Sequence, residues 1–416
     1  MKGNGQRRGV VIVGAGFGGM RVARGLRGAQ VDVTLLDRHN YHLFVPLLYQ
    51  VATAGLEPEE IAQPVRRVLR GAENVRFRLA TVTAVDLERR VVVTDTGDLP
   101  YDYLVLAAGS STNYFGLDSV AQVACALRDL DEAERLRDSV LRAFEAASVE
   151  PDPERQRQLM TIVVVGGGPT GVELAGALAE LRRHVLPHDF PDLELDSARI
   201  LLLEATDRLL PGMPPRLQSK AQDTLRKLGV EVRLQAAVAG ADRGGVILKT
   251  GERIAAGAVV WVAGLRAAPL VETLPATKGP NGRLIVRETL QLPEHPEVYA
   301  IGDMAHVGGP DARPHPMLAP VAIQQGDLVA KNILRQLQGK EPLPFRYRDR
   351  GTMVTIGRQA AVAHIFGLKL SGFIAWVLWL TVHLFWLIGF RNRLLVLVNW
   401  AWNYLTYDRG VRLIRD

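Results

Sequence analysis

The sequence predicts an α/β protein built from two Rossmann-like domains, followed by a C-terminal helical segment. Two glycine-rich turns, each placed between a β-branched run and an amphipathic stretch, indicate the two α/β domains. A long apolar segment near the C-terminus indicates the helical part. The 416 residues are 48% hydrophobic and 23% charged, which is the composition of a folded protein with room for several domains.

The first turn follows residues 10–13, whose β-branched side chains are typical of a strand buried on both faces. The pattern G-x-G-x-x-G comes next, and a second strand, residues 31–36, ends at an acidic residue. Such glycines let the backbone approach a pyrophosphate at a helix N-terminus, and the acid accepts hydrogen bonds from a ribose. The predicted dinucleotide site comprises Gly14, Ala15, Gly16, Phe17, Gly18, Gly19, Asp37 and Arg38.

The same pattern returns at residues 161–171, and the strand that follows, residues 199–203, ends at Glu204. Two turns in one chain predict two dinucleotides, which suits hydride transfer between them. A carboxylate at Glu204 favours NADH over NADPH because it repels a 2′-phosphate, although the nearby Arg208 weakens this discrimination. The residues assigned to NAD are Gly166, Gly168, Thr170, Gly171, Glu204 and Gly264.

A third feature, Gly302-Asp303 at the end of a late strand, decides what the first turn binds. Taken alone, a Gly-Asp pair at a strand end more often forms a turn than a cofactor site. After two nucleotide turns it favours a flavoprotein in which this carboxylate accepts hydrogen bonds from the ribityl and phosphate region. The first turn is therefore assigned to non-covalent FAD, and the set is extended by Val82, Ala108, Gly109, Gly302 and Asp303.

The predicted domain order places the NAD domain inside the FAD domain. The FAD-binding domain occupies 1–115 and 280–345, a helical linker 116–158, the NAD-binding domain 159–279 and a C-terminal region 346–416. The linker is rich in Arg, Glu and Asp, so an exposed helix is expected. The single Cys125 excludes an internal disulfide and a Cys-x-x-Cys redox centre, and no metal site is predicted.

Four segments resemble the type II NADH dehydrogenases, which are single-subunit NADH:quinone oxidoreductases, and the resemblance extends over essentially the whole chain. The segments are YHLFVPLLYQ at 41–50, GPTGVELAG at 168–176, AIQQG at 322–326 and YLTYDRG at 404–410. The resemblance implies that electrons pass from NADH through FAD to a membrane quinone. Proton pumping is not expected, because the C-terminal segment alone cannot form a proton channel.

The resemblance also implies roles for individual residues. Glu173 would lie near the flavin and the quinone and take part in proton supply or substrate placement. The alternative is a carboxylate in the first helical turn that only favours the positive helix end. Ala322 would begin a helix whose N-terminus faces the flavin, and Gln324 and Gln325 would bind the quinone rather than lie on an ordinary amphipathic helix. Some family members have a glutamine in place of Pro320. This difference affects which side chains contact the quinone and does not affect the role of the helix.

The tail gives two conflicting signals. Residues 372–390 are 19 positions without a formal charge, about 28 Å as a helix and close to the ~30 Å hydrocarbon thickness. Trp376, Trp379, His383 and Trp386 fall on one side, as at a membrane interface. From Lys369 onward there are six basic and two acidic residues, which favours an anionic lipid surface over nucleic acid.

We therefore expect a monotopic tail on the cytoplasmic side of the cell membrane, because the N-terminal residues show no cleavage site for export. A true transmembrane span and a buried core or dimer helix are the alternatives, and homodimer formation is left open. Two rival functions also stay open: a ferredoxin, rubredoxin or other NAD(P)H-dependent FAD reductase, and a membrane-docked flavin redox sensor. Turnover with NADH and a quinone would separate an enzyme from a sensor.

Overall fold

A computed structural model describes residues 7–308, 314–406 and 412–414. The strands are β1 (Arg8–Val13), β2 (Val31–Asp37), β3 (Tyr41–Leu43), β4 (Ala62–Pro64), β5 (Val75–Leu79), β6 (Val82–Asp86), β7 (Val91–Thr94), β8 (Leu99–Pro100), β9 (Tyr103–Leu106), β10 (Ser110–Thr112), β11 (Thr161–Val165), β12 (Arg199–Leu203), β13 (Val230–Arg233), β14 (Val238–Asp242), β15 (Gly245–Leu248), β16 (Arg253–Ala255), β17 (Ala258–Trp261), β18 (Leu265–Ala267), β19 (Leu284–Val286), β20 (Val298–Ala300), β21 (Ala305–Val307), β22 (Thr352–Thr355), β23 (Ala361–Ile365) and β24 (Leu368–Ser371).

The helices are α1 (Phe17–Gly25), α2 (Leu48–Ala52), α3 (Pro58–Ile61), α4 (Val65–Val68), α5 (Asp118–Val123), α6 (Leu130–Ser148), α7 (Pro153–Leu159), α8 (Pro169–His184), α9 (Leu186–Asp189), α10 (Pro215–Lys227), α11 (Ala319–Leu337), α12 (Phe373–Trp386) and α13 (Phe390–Thr406).

The chain divides into two compact units. The first contains Met1–Leu43, Ala62–Ser111 and Leu265–Asp349, and the second contains Phe44–Ile61, Thr112–Gly264 and Arg350–Asp416. Three features differ from the expected boundaries. Residues 44–61 join the second unit, the chain returns to the first unit at Leu265 rather than 280, and the tail belongs to the second unit.

The first unit is organised around a parallel sheet in the order β20-β9-β1-β2-β5. Strand β1 lies at its centre, and its residues Val10 and Ile12 are fully buried. Because the strands are parallel, their carboxyl ends lie along one edge of the sheet. That edge carries the first glycine turn, Asp37, Gly109 and Gly302-Asp303, so the predicted FAD residues converge there.

The second unit repeats this arrangement with a parallel sheet in the order β13-β12-β11-β17. The second glycine turn follows β11 and leads into α8, and Glu204 follows β12. Gly264 lies just beyond β17 at the same edge. The predicted NAD residues therefore also gather at the carboxyl ends of parallel strands.

The segment expected to be an exposed helical linker is helical, but it is packed into the second unit. Helix α6 buries one face that includes Leu136, Val140 and Phe144 and contacts α2, α7 and β17. Its charged residues lie on the opposite face, as in any amphipathic helix. The expectation that this segment is exposed was wrong. It was based on the many charged residues and overlooked the apolar face of α6.

The tail consists of the antiparallel sheet β22-β23-β24 and then α12 and α13. The expected helix over 372–390 is shorter, because α12 ends at Trp386 and α13 begins at Phe390. Arg393 closes the end of α12 by donating hydrogen bonds of 2.7 Å to the carbonyl oxygens of Phe385 and Leu387. Within the described part of the chain, none of the helices is long and apolar enough to cross a membrane.

Candidate functional site

The two glycine turns have matching geometry. Gly14 and Gly166 have φ angles of +105° and +119°, which L-residues with side chains rarely adopt. A Cβ atom on Gly19 would lie 1.9 Å from the carbonyl oxygen of Gly14, and one on Gly171 would lie 1.8 Å from that of Gly166. Both turns therefore require glycine at their first and last motif positions.

The acidic residues at the two strand ends stabilise these turns by accepting hydrogen bonds from backbone N–H groups. Asp37 accepts hydrogen bonds from the backbone N–H groups of Ala15 and His39, at 2.6 and 2.8 Å. Glu204 accepts the equivalent bonds from Gly167 and Thr206, at 2.6 and 2.8 Å. Each carboxylate thus orders its own turn, and its remaining lone pairs are the acceptors that the sequence assigned to a ribose.

The helices that follow the turns have N-termini suited to an anion. Gly16 and Gly168 cap α1 and α8 without a side-chain hydrogen bond, and neither first turn contains an acidic residue. By contrast, Asp129 and Asp152 cap α6 and α7 with their own carboxylates. A Cβ on Gly16 or Gly168 would meet no atom within 4 Å, so a diphosphate can approach both helix ends closely.

The Gly302-Asp303 corner is held by polar contacts within the first unit. Asp303 accepts a hydrogen bond of 2.5 Å from the hydroxyl of Ser110, and the N–H of Gly302 donates one of 2.6 Å to Gln325 Oε1. Gln325 Nε2 is buried and has no hydrogen-bond partner among the described residues. Three features of this unit fit FAD. They are the glycine turn, the N-terminus of α1 without a side-chain cap, and the unsatisfied donor Gln325 Nε2.

Gln324 and Gln325, predicted to bind quinone, both lie in the first unit. Gln324 exchanges two hydrogen bonds of 3.0 Å with the backbone of Arg348, and Gln325 holds Gly302. Their quinone role stays a prediction. The other residues assigned to FAD within this unit are Arg38, Val82, Ala108, Gly109 and Ala322, of which Ala322 lies in the first turn of α11 as expected.

The second unit contains a cavity of about 910 Å³ that the sequence did not indicate. It is lined by α2, α8, the loop after β22, and the tail helices α12 and α13. Its wall is largely apolar, with Trp376, Leu380 and Leu384 on α12 and Leu397 on α13. The tail was expected to lie on the membrane, with a buried core helix as one alternative, and Trp379 on α12 lines this cavity and is 1% exposed.

Glu173 lies beside this cavity in α8, at the fifth residue of the helix and therefore beyond the first turn where it was expected. It is 9% exposed, and burial raises its pKa to about 8. The backbone of Thr355 and the indole of Trp379, both on the cavity wall, oppose this rise. The indole nitrogen makes no well-formed hydrogen bond, so its opposition is weak. Glu173 is consequently protonated at neutral pH.

His383 is a half-buried titratable residue of α12, and its ring stacks on that of Trp379 with centroids 4.1 Å apart. Its Nδ1 lies 2.7 Å from the carbonyl oxygen of Trp379, which can only accept a hydrogen bond. Burial lowers the pKa of His383 to about 4, so the imidazole is neutral at neutral pH. The sequence had indicated a membrane interface for both rings, whereas in the structure Trp379 is buried and His383 is half-buried.

Comparisons with known proteins agree with this architecture. Residues 8–326 match the pyridine nucleotide-disulphide oxidoreductase family, and residues 350–407 match the NDH2 C-terminal domain. The chain is 42% identical to the type II NADH:quinone oxidoreductase Ndh of Mycobacterium tuberculosis, with 99% of this chain and 91% of that protein covered. It is 28% identical to the type II NADH:quinone oxidoreductase of Staphylococcus haemolyticus, with 88% and 92% covered.

Solved structures show the same fold. The structure of NDH2 from Plasmodium falciparum in complex with NADH superimposes with a TM-score of 0.90 and 19% identity, covering 99% of this chain and 100% of that one. The sulfide:quinone oxidoreductase of Aquifex aeolicus gives a TM-score of 0.74 and 18% identity, with 93% and 92% covered. The chain therefore belongs to the type II NADH:quinone oxidoreductases, flavoenzymes that transfer electrons from NADH through FAD to a quinone.

Proposed function

We propose that the quinone is reduced in the cavity of the second unit and that Glu173 donates a proton to it. The observation that carries this proposal is the buried, protonated carboxyl group of Glu173 beside a large apolar cavity. Quinone reduction consumes two electrons and two protons. A side chain that carries a proton at neutral pH can therefore donate it to the quinone.

The size and lining of the cavity suit a quinone. A volume of about 910 Å³ lies in the range of small-molecule sites, which are mostly apolar with a few polar groups. Gln50 donates a hydrogen bond of 2.8 Å to the hydroxyl of Tyr49 and accepts one of 2.8 Å from the indole of Trp400. These three side chains form a fixed polar stretch on a largely apolar wall.

The residues assigned to FAD and NADH bind the groups through which electrons enter the enzyme. The first glycine turn, Asp37 and Asp303 would hold FAD, which would supply the redox chemistry between NADH and the quinone. Glu204 and the second glycine turn hold NADH in the second unit. The protein's own residues bind, orient and polarise these groups, and no metal ligand set is needed.

We further propose that the tail is monotopic and lies on an anionic lipid surface. Helices α12 and α13 line the cavity and also expose large apolar side chains, which include Phe385 at 71% and Trp402 at 57% exposure. Arg391 and Arg393 lie at the start of α13 and would remain near lipid headgroups. A quinone dissolved in the bilayer would reach the cavity between these helices.

Narrowing the cavity tests the position of the quinone site. Leu380→Trp places a larger side chain in the cavity wall, whereas Leu378→Trp changes a half-buried residue of the same helix that does not line the cavity. We expect Leu380→Trp to raise the KM for quinone about tenfold or more, a loss of at least ~1.4 kcal/mol in binding. Reduction of a soluble dye by NADH should be unchanged in both variants. Equal quinone kinetics in the two variants would contradict the assignment.

A further inference from the structure

Helix α8 carries a row of residues that runs along the cavity. Glu173, Ala177, Glu180 and His184 are spaced by four, three and four positions, which places them within one narrow stripe of the helix. Ala177, Glu180 and His184 all line the cavity, and Glu173 lies beside it. The stripe leads from the buried carboxyl group of Glu173 to the last residue of the helix.

Exposure to solvent increases along this stripe. Glu173 is buried, whereas Glu180 and His184 are half-buried and therefore reachable from water. After Glu173 has donated a proton, its carboxylate must be protonated again before the next turnover. The groups that face this carboxyl group cannot do this, because the Thr355 backbone and the Trp379 indole do not titrate.

The other titratable or charged groups around the cavity come from the elements that pack beside α8. They are Tyr49 on α2, Arg358 after β22, and Arg393 and Tyr404 on α13. Arginine keeps its proton in proteins, and tyrosine ordinarily titrates only near pH 10. Glu180 and His184 are the carboxyl and imidazole side chains of the cavity wall, the two side-chain types that most often transfer protons in proteins.

We propose that Glu180 and His184 relay protons from solvent to Glu173, an inference that rests on the cavity of the second unit being the quinone site. The proton leaves Glu173 for a quinone oxygen, and Glu180 then returns a proton to the Glu173 carboxylate. His184 reprotonates Glu180, and solvent reprotonates His184. One such cycle supplies one proton of the quinol, and the second proton and both electrons come from the hydride that NADH delivers.

Water must bridge the longer step of this relay. Two helical turns separate Glu173 from Glu180, about 10.5 Å along the axis, which is too far for direct transfer between carboxyl groups. A cavity of about 910 Å³ has room for both a quinone ring and bridging water molecules. Glu180 and His184 are one turn apart, so their side chains can meet directly or through one water.

Glu180 also has a structural contact, and the test must separate the two roles. Its Oε1 accepts a hydrogen bond from the backbone N–H of Arg358. Glu180→Gln keeps an oxygen acceptor at this position but removes the exchangeable proton. His184→Gln similarly keeps a polar side chain that cannot titrate. Arg183→Gln, an exposed neighbour on the same helix, and Glu194→Gln, an exposed carboxylate outside it, serve as matched controls.

The experiment measures reoxidation of the reduced full-length enzyme by a short-chain quinone in stopped flow. We expect Glu180→Gln and His184→Gln to slow this step about tenfold or more, with a larger solvent deuterium isotope effect than the native enzyme. Imidazole or acetate added at high concentration should restore much of the rate, because a small acid can enter the cavity and protonate Glu173. Flavin reduction by NADH should not change.

Each alternative outcome has a distinct meaning. Slow reoxidation without an isotope effect or rescue by small acids would show that Glu180 only holds the Arg358 loop, and the relay would be overturned. Native rates in both relay variants, with Glu173→Gln still slow, would overturn the relay and leave the quinone site intact. Native rates in Glu173→Gln as well would overturn the proposed function itself.

Discussion

Glu204 accepts a hydrogen bond of 2.6 Å from the backbone N–H of Gly167, the middle residue of the second glycine turn. Asp37 makes the same 2.6 Å contact with Ala15 in the first turn. Each acid therefore orders the turn that receives a diphosphate. Each also presents its remaining lone pairs toward the position expected for a ribose. Replacing either acid should affect turn geometry as well as nucleotide choice.

Glu204→Ser should shift the nucleotide preference toward NADPH. Loss of the carboxylate removes its repulsion of a 2′-phosphate, and we expect the ratio of kcat/KM for NADH over NADPH to fall about tenfold, or about 1.4 kcal/mol. The kcat/KM for NADH itself should also fall, because Gly167 and Thr206 lose their acceptor. Glu231→Gln removes a charge elsewhere in the same unit and should leave the ratio unchanged. An unaltered ratio in Glu204→Ser would mean that another residue discriminates.

Asp37→Asn should weaken the retention of FAD. An amide offers one acceptor oxygen where the carboxylate serves two N–H groups, so either Ala15 or His39 loses its bond. We expect a lower flavin-to-protein ratio after purification and about tenfold faster flavin release on dilution. Asp32→Asn, an exposed position on the same strand, is the control. Full flavin retention in both variants would show that Asp37 does not order this site.

The nucleotide half of the protein was predictable from sequence, since each turn, strand and acid is local in the chain. Glu173 was identified only through its family motif, because its raised pKa comes from burial in the folded protein, which no local sequence pattern shows. The cavity could not be predicted, because it forms where α2, α8 and the tail meet. Asn392 and Asn403 illustrate the difficulty, since they donate hydrogen bonds to backbone carbonyl oxygens at residues 55, 59 and 60, which are far away in the sequence.

Exposed apolar residues of the tail should control membrane binding. Phe385→Asp combined with Trp402→Asp places two charges on surfaces that we assign to lipid, and transfer of charge into a bilayer interface is unfavourable. We expect at least about tenfold weaker binding to vesicles that contain anionic lipid, measured by cosedimentation. Val149→Asp alters an equally exposed apolar residue outside the tail and should have no effect. Native binding by the double variant would contradict the monotopic arrangement.

The pKa of Glu173 gives the quinone step a defined pH dependence. Because burial raises this pKa to about 8, the carboxyl group is protonated at neutral pH and loses its proton as the pH rises through 8. Reoxidation by quinone should be nearly constant below pH 8 and fall about tenfold per unit well above it. Glu173→Gln should lack this decline. Stopped-flow rates between pH 6 and 10 provide the check, and a native profile without the decline would exclude Glu173 as the acid.

The most direct measurement compares the two half-reactions of Glu173→Gln at neutral pH. We expect NADH to reduce the flavin at the native rate and quinone to reoxidise it about a hundredfold more slowly, the usual scale for losing a general acid. The absorbance of the flavin reports both steps in one stopped-flow instrument. Equal slowing of the two steps, or no slowing of either, would contradict the assignment of Glu173 and its cavity to quinone reduction.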